Sequence, residues 1–122
     1  MIQNKDYILQ LIEAAGKAVA KMMGFKEQGS YSQALETLND CYSEHLDRIH
    51  IESESSSIKL DLYGSLLKQE ADINQKLGNH DKAKTLFFKA LKCLNRAEDV
   101  SRSFDLKRNS LIKKIQLSLT TD

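Results

Sequence analysis

Nowhere in the 122 residues is there a proline, and glycine occurs only five times. In a helix interior proline costs about 3 kcal/mol and glycine about 1 kcal/mol relative to alanine. A chain almost free of both can therefore run in long helices, and its apolar residues follow that course. Between His80 and Ala97 they stand at Ala83, Leu86, Phe87, Ala90, Leu91, Leu94 and Ala97, the spacing of threes and fours that lines one helical face. The same rhythm marks Lys5–Gln28, Tyr31 to about Arg48, a third run from about Lys59 or Gly64 to Leu77, and Phe104–Leu119. Ile58, Leu60 and Leu62 alternate as a strand would, but with no partner strand elsewhere they read better as a helix start. The expectation is an all-α chain of about five helices.

Two glycines punctuate this pattern. Gly29 closes the first run and Gly78 the third, each where a left-handed residue would end a helix. Ser30-Tyr31-Ser32-Gln33 fits a capping box, with the Ser30 hydroxyl taking the Gln33 amide and Gln33 reaching back. Asn79 suits the N-cap of the fourth helix. Around the two glycines the sequence repeats itself: Gly29, Tyr31, Ala34 and Leu38 align with Gly78, His80, Ala83 and Phe87, and Cys41 aligns with Ala90.

This segment resembles the second half of a tetratricopeptide repeat, in which a glycine turns the chain between antiparallel helices and a small alanine lets them approach closely. The two glycines are 49 positions apart, about 15 more than that family's period of about 34 residues. A length of 122 residues is enough for a single domain and no more, and the resemblance divides it into a helix pair at 5–48, an insertion at 49–63, a second pair at 64–97 and a capping helix at 104–119. It also implies a partner-binding groove lined by the first helix of each pair: Val19, Met23 and Lys26 from one, Lys68, Asp72 and Gln75 from the other, with Met22 as an adaptable neighbour. Some members of the family hold a peptide's terminal carboxylate there through Lys and Asn side chains. Lys68 fits that role, but Asp72 would repel the carboxylate. The opening Asp6–Glu13 followed by this repeat also resembles a group of small bacterial proteins classed as a domain of unknown function, which implies a bacterial, helical, non-catalytic protein.

The first run carries Ile8, Leu9, Leu11, Ile12, Ala15, Ala18, Val19, Met22, Met23 and Phe25. That is more than one stripe, so this helix should pack on two sides. One side faces its own domain. The other is left for a later helix, a second copy of the chain or a ligand.

The formal net charge of +1 conceals an asymmetry. Eight acids and two bases lie between Glu27 and Asp61, and eight bases and three acids between Lys89 and Lys114. Oppositely charged solvated faces account for this, and mutual attraction of the two halves is the sharper reading. Cys41 and Cys93 each fall on an apolar stripe, as buried reduced thiols do. Met1–Asp6 lacks the basic start of a signal peptide, and Gln10, Glu13, Lys17 and Lys21 interrupt the longest apolar stretch, so a cytoplasmic protein with no membrane span is expected.

The residues that carry chemistry are scattered. His45 and His50 are five apart, whereas two histidines sharing a metal on one helical face stand four apart. Glu70 and Asp72 diverge on their helix, and no serine sits in a nucleophile elbow. No cofactor, metal, small-molecule substrate or enzymatic activity is implied. The sequence points to a non-enzymatic interaction module that associates with itself or with a partner helix or peptide. The alternative is nucleic-acid or polyanion binding through Lys107, Arg108, Lys113 and Lys114, against which stand the near-neutral charge and the lack of interleaved aromatics.

Overall fold

The computed structural model describes residues 3–47 and 49–120, with side chains from Tyr7 onward. Among them are five α-helices and no strand: α1 (Gln3–Glu27), α2 (Tyr31–Cys41), α3 (Ser57–Lys76), α4 (His80–Ser101) and α5 (Leu106–Thr120). The all-α expectation holds. A π-helical turn, Tyr42–Leu46, extends α2. The chain divides into two compact units, Met1–Ile49 and His50–Asp122.

The N-terminal unit is the α1–α2 hairpin. Its buried residues include Leu11, Ala15 and Met22 on α1, Ala34, Leu38 and Cys41 on α2, and Leu46 in the π-helical turn. The C-terminal unit is the α3–α4 hairpin with α5 laid against it. Here the core gathers Leu60, Leu66, Leu67, Ala71 and Ile73 of α3, Phe87, Ala90, Cys93, Leu94 and Ala97 of α4, and Ile115 of α5.

The repeat in the sequence is a repeat in geometry. Gly29 and Gly78 both take left-handed backbone angles, with φ of 76° and 84°, which cost a residue without a Cβ little. At each, the glycine N–H donates to the carbonyl three residues back (Lys26, 3.0 Å; Gln75, 3.1 Å) and the next N–H to the carbonyl five residues back (Phe25 and Asn74, both 2.8 Å). This is the Schellman ending of a helix. The residues that follow, Ser30 and Asn79, have almost identical backbone angles of −86°, 66° and −86°, 67°. Ala34 and Ala83, five positions after each glycine, are both buried.

The side-chain caps differ from expectation. Neither Ser30 nor Asn79 caps through its side chain, so the Ser30–Gln33 capping box does not form. Asn79 instead donates Nδ2–H to Oδ1 of the buried Asn74 (3.2 Å), whose own Nδ2 donates to the Glu70 carbonyl (2.9 Å). The Schellman bonds have already fixed where the chain enters the next helix, and a hydroxyl or carboxamide at that point is free to serve another partner.

The stretch 49–63, read as an insertion, is loop only as far as Ser56, whose hydroxyl accepts the Lys59 amide (3.3 Å) and starts α3. Ile58, Leu60 and Leu62 are therefore helical. The loop is tied to α4 rather than hanging in solvent. Lys92 pairs with Glu52 at 2.9 Å, and Arg96 donates twice to the Glu54 carbonyl, at 3.3 and 3.2 Å. Gly64 lies inside α3, not at its start. A Cβ there would meet Leu94 Cδ2 and Cγ at 2.9 Å and Cys93 Cβ at 3.3 Å, so this glycine lets α3 and α4 approach closely.

Helices α4 and α5 are separate. Arg102 ends α4 in the left-handed region, with φ of 55°, and Asp105 accepts the Arg108 amide at 2.8 Å to begin α5. Early in α5, Arg108 is only 4% exposed in its side chain and gathers the unit around it. It makes a bidentate pair with Asp61 of α3 (2.7 and 2.8 Å) and donates to Glu98 (2.9 Å) and Ser101 (3.3 Å) of α4. The Asp61 carboxylate holds the guanidinium well above its ordinary pKa, so this arginine stays charged at any pH the fold survives.

Candidate functional site

Two surfaces stand out, one in each unit, and both follow from helical periodicity. On α1 the buried stripe of Leu11, Ala15 and Met22 is one of two. Leu9, Ile12, Gly16, Val19 and Met23 form the other, spaced three, four, three and four. At 3.6 residues per turn this second stripe lies about 100° around the helix from the first. Leu9 is 56% and Ile12 43% exposed, Gly16 is exposed, and Val19 and Met23 are half-buried. A Cβ at Gly16 would meet nothing within 4 Å. Glu13 and Lys17, one turn apart at 3.4 Å, form an exposed ion pair on this helix.

The second surface is a cleft of about 740 Å³ in the C-terminal unit. Arg108 sits beside the start of α3 and the end of α4, and Leu119 shares a smaller cleft with Gln75 and His80 at the other end of that hairpin. Helix α5 therefore runs antiparallel to α4 and alongside α3. The larger cleft lies between α3 and α5, with Leu62, Ser65 and Gln69 on one wall, Lys107, Leu111 and Lys114 on the other, and Leu94 of α4 also lining it. One polar atom in these walls is unsatisfied: Gln69 Oε1 is buried and has no hydrogen-bond partner.

The residues singled out in the sequence fall in several places. Met22 has no exposed surface and is core, so it cannot serve as a partner contact on the folded chain. Val19, Met23 and Lys26 are half-buried on α1. Lys68 and Asp72 are brought together, but with each other: their 2.6 Å ion pair spans one turn of α3, and each side chain is 19% exposed. Lys68 is thus engaged with Asp72 rather than standing alone. Gln75 lines the smaller cleft, of about 350 Å³. Of the four bases assigned to α5, Arg108 is buried in its ion cluster, leaving Lys107, Lys113 and Lys114 exposed.

Chemistry is sparse on these surfaces. No group of three or more His, Cys, Asp or Glu able to hold a metal occurs among the described residues. Cys41 and Cys93 are free and buried. Burial raises both thiols, Cys93 to about 12, far above the range in which a thiolate forms at neutral pH. No helix of the described chain is long and apolar enough to cross a membrane.

Sequence reasoning noted the apolar width of α1 without resolving the register of its second stripe, and it passed over two further features. The second stripe of α1 was legible as five residues at heptad spacing. Gly64 was marked only by being a glycine within an apolar run. The burial of Arg108 had no local signal, because its partners are 47 and 10 positions away. Comparison with family models, with curated proteins and with solved structures finds no match to this chain.

Proposed function

We propose that this chain is a non-enzymatic interaction module that pairs α1 with a helix of a second copy. The observation that supports this reading is the second stripe on α1. Leu9, Ile12, Gly16, Val19 and Met23 repeat every three and four residues, the pattern by which one helix packs along another. A glycine in such a seam lets the facing backbone come close. Large apolar side chains such as Leu9 and Ile12, exposed on adjacent turns, gain free energy when a second helix covers them, at roughly 25 cal/mol per Å² removed from water. A twofold dimer is the simplest arrangement, because one patch then serves both copies.

Light scattering across a concentration series tests this reading. The expected result is a mass that rises from monomer to dimer, with Leu9→Lys/Ile12→Lys held at the monomer. Both side chains are exposed, so the double variant should keep its helical circular dichroism. A strict monomer at high concentration would refute self-association.

A further inference from the structure

The cleft between α3 and α5 is separate from the α1 stripe and has its own chemistry. Its α3 wall presents Leu62, Ser65 and Gln69 at successive turns, and its α5 wall Lys107, Leu111 and Lys114 at successive turns. From Asp61 to Gln69 the α3 wall is about 12 Å long at 1.5 Å per residue. Two helices running the same way, with a leucine of a third between them, leave the trough into which a fourth helix lays an apolar face.

The charges of the cleft select what that helix must carry. Two carboxylates line one end, one paired with a guanidinium and the other only hydrogen-bonded to a neutral amide. Asp61 is held bidentately by Arg108, and Asp105 accepts the Arg108 amide. Lys107 and Lys114 are seven residues apart, exposed, and without an ion-pair partner among the described residues. Asp105 keeps its negative charge at that end, so the positive charge a partner would meet is that of Lys107 and Lys114, and it lies along the α5 wall. Gln69 adds a second sign of a polar occupant. A leucine there would complete the wall without burying an unsatisfied acceptor, whereas a carboxamide can turn outward to meet a donor.

We propose that this cleft docks one amphipathic helix of a partner protein, with a leucine-type stripe against Leu62 and Leu111 and acidic residues about two turns apart against Lys107 and Lys114. The apolar contact supplies the affinity. The carboxylates set orientation and speed the encounter, so the association weakens as salt rises.

Selection from random displayed peptides of about 16 residues, long enough for four helical turns, tests the proposal on the full chain. The expected winners carry leucine-type residues at three-and-four spacing with Asp or Glu on one flank. They should bind Lys107→Glu/Lys114→Glu at least about tenfold more weakly, a loss of about 1.4 kcal/mol, and Leu111→Gln not measurably. Leu9→Lys/Ile12→Lys should bind them undiminished, which separates this site from the α1 seam. Both lysines are exposed, so their reversal leaves the core intact, and circular dichroism verifies the fold of each variant. No enrichment, or winners indifferent to the lysine reversal, would overturn the proposal. So would anilinonaphthalene sulfonate binding that Leu111→Gln abolishes where no peptide is enriched, since the cleft would then be a small-molecule pocket. A concentration-dependent mass abolished by the lysine reversal, again without peptide enrichment, would assign the cleft to a second copy.

Discussion

The same substitution, glycine to alanine, should move stability in opposite directions at two helical positions. Gly16 and Gly64 both lie well inside helices, α1 and α3. Replacing either removes the backbone freedom of glycine from the unfolded chain and gains about 1 kcal/mol of helix propensity. At Gly16 nothing lies within 4 Å of the new methyl, so the gain should be realised in full. At Gly64 the methyl arrives 2.9 Å from Leu94 Cδ2 and Cγ and 3.3 Å from Cys93 Cβ. Leu94 and Cys93 are 1% and 0% exposed and have no solvent to retreat into, so overpacking should cost about 1–3 kcal/mol. Gly64→Ala should then be neutral to about 2 kcal/mol destabilising, while Gly16→Ala stabilises its unit by about 1 kcal/mol. The measurement is urea unfolding at dilution, with hydrogen exchange of α1 and α3 peptides to assign each change to its own unit. Leu94→Ala supplies the decisive background. It costs about 2–5 kcal/mol alone, but it empties the space the methyl needs, so adding Gly64→Ala to it should stabilise. If Gly64→Ala stabilises the wild-type chain as much as Gly16→Ala does, the close approach of α3 and α4 is not what places a glycine there.

Two further outcomes follow from buried groups. Arg108→Met should loosen α5. Its partners Asp61 and Glu98 are 33% and 40% exposed and can rehydrate, so the loss should be about 1–3 kcal/mol rather than the 3–5 kcal/mol of a fully buried pair. Hydrogen exchange should then show α5 losing protection while the α3–α4 hairpin keeps its own, and equal loss throughout would contradict the role of Arg108 as a local tie. The second outcome concerns alkaline pH. Burial lifts the Cys93 thiol from its ordinary 9.0 to about 12, so from about pH 9 the unfolded chain ionises while the folded one stays neutral. Stability should fall through that window by up to about 1.4 kcal/mol per pH unit. Cys93→Ala should remove this part of the slope, and identical alkaline slopes in the two proteins would refute the assignment.

Local rules wrote most of the secondary structure. The runs free of proline, the apolar periodicity and the two helix-ending glycines set out five helices, because helix formation and Schellman ends depend on residues within one or two turns. The alignment of Gly29–Ala34 with Gly78–Ala83 carried through to matching hydrogen bonds and backbone angles for the same reason. The α1 seam was equally present in the order of the residues. What tertiary structure alone decided was which polar groups are consumed. Lys68 looked like an anchor and is spent on Asp72. Arg108 looked like part of a basic face and is buried between α3 and α4. Ser30 looked like a cap and is not used as one. Each outcome depends on a competition among neighbours: for Lys68 and Ser30 those neighbours lie within one or two turns, and for Arg108 they meet only after distant segments pack. The cleft between α3 and α5 is of this second kind too: its walls come from helices separated in sequence by the whole of α4, and no local pattern records the width left between two helices packed on a third.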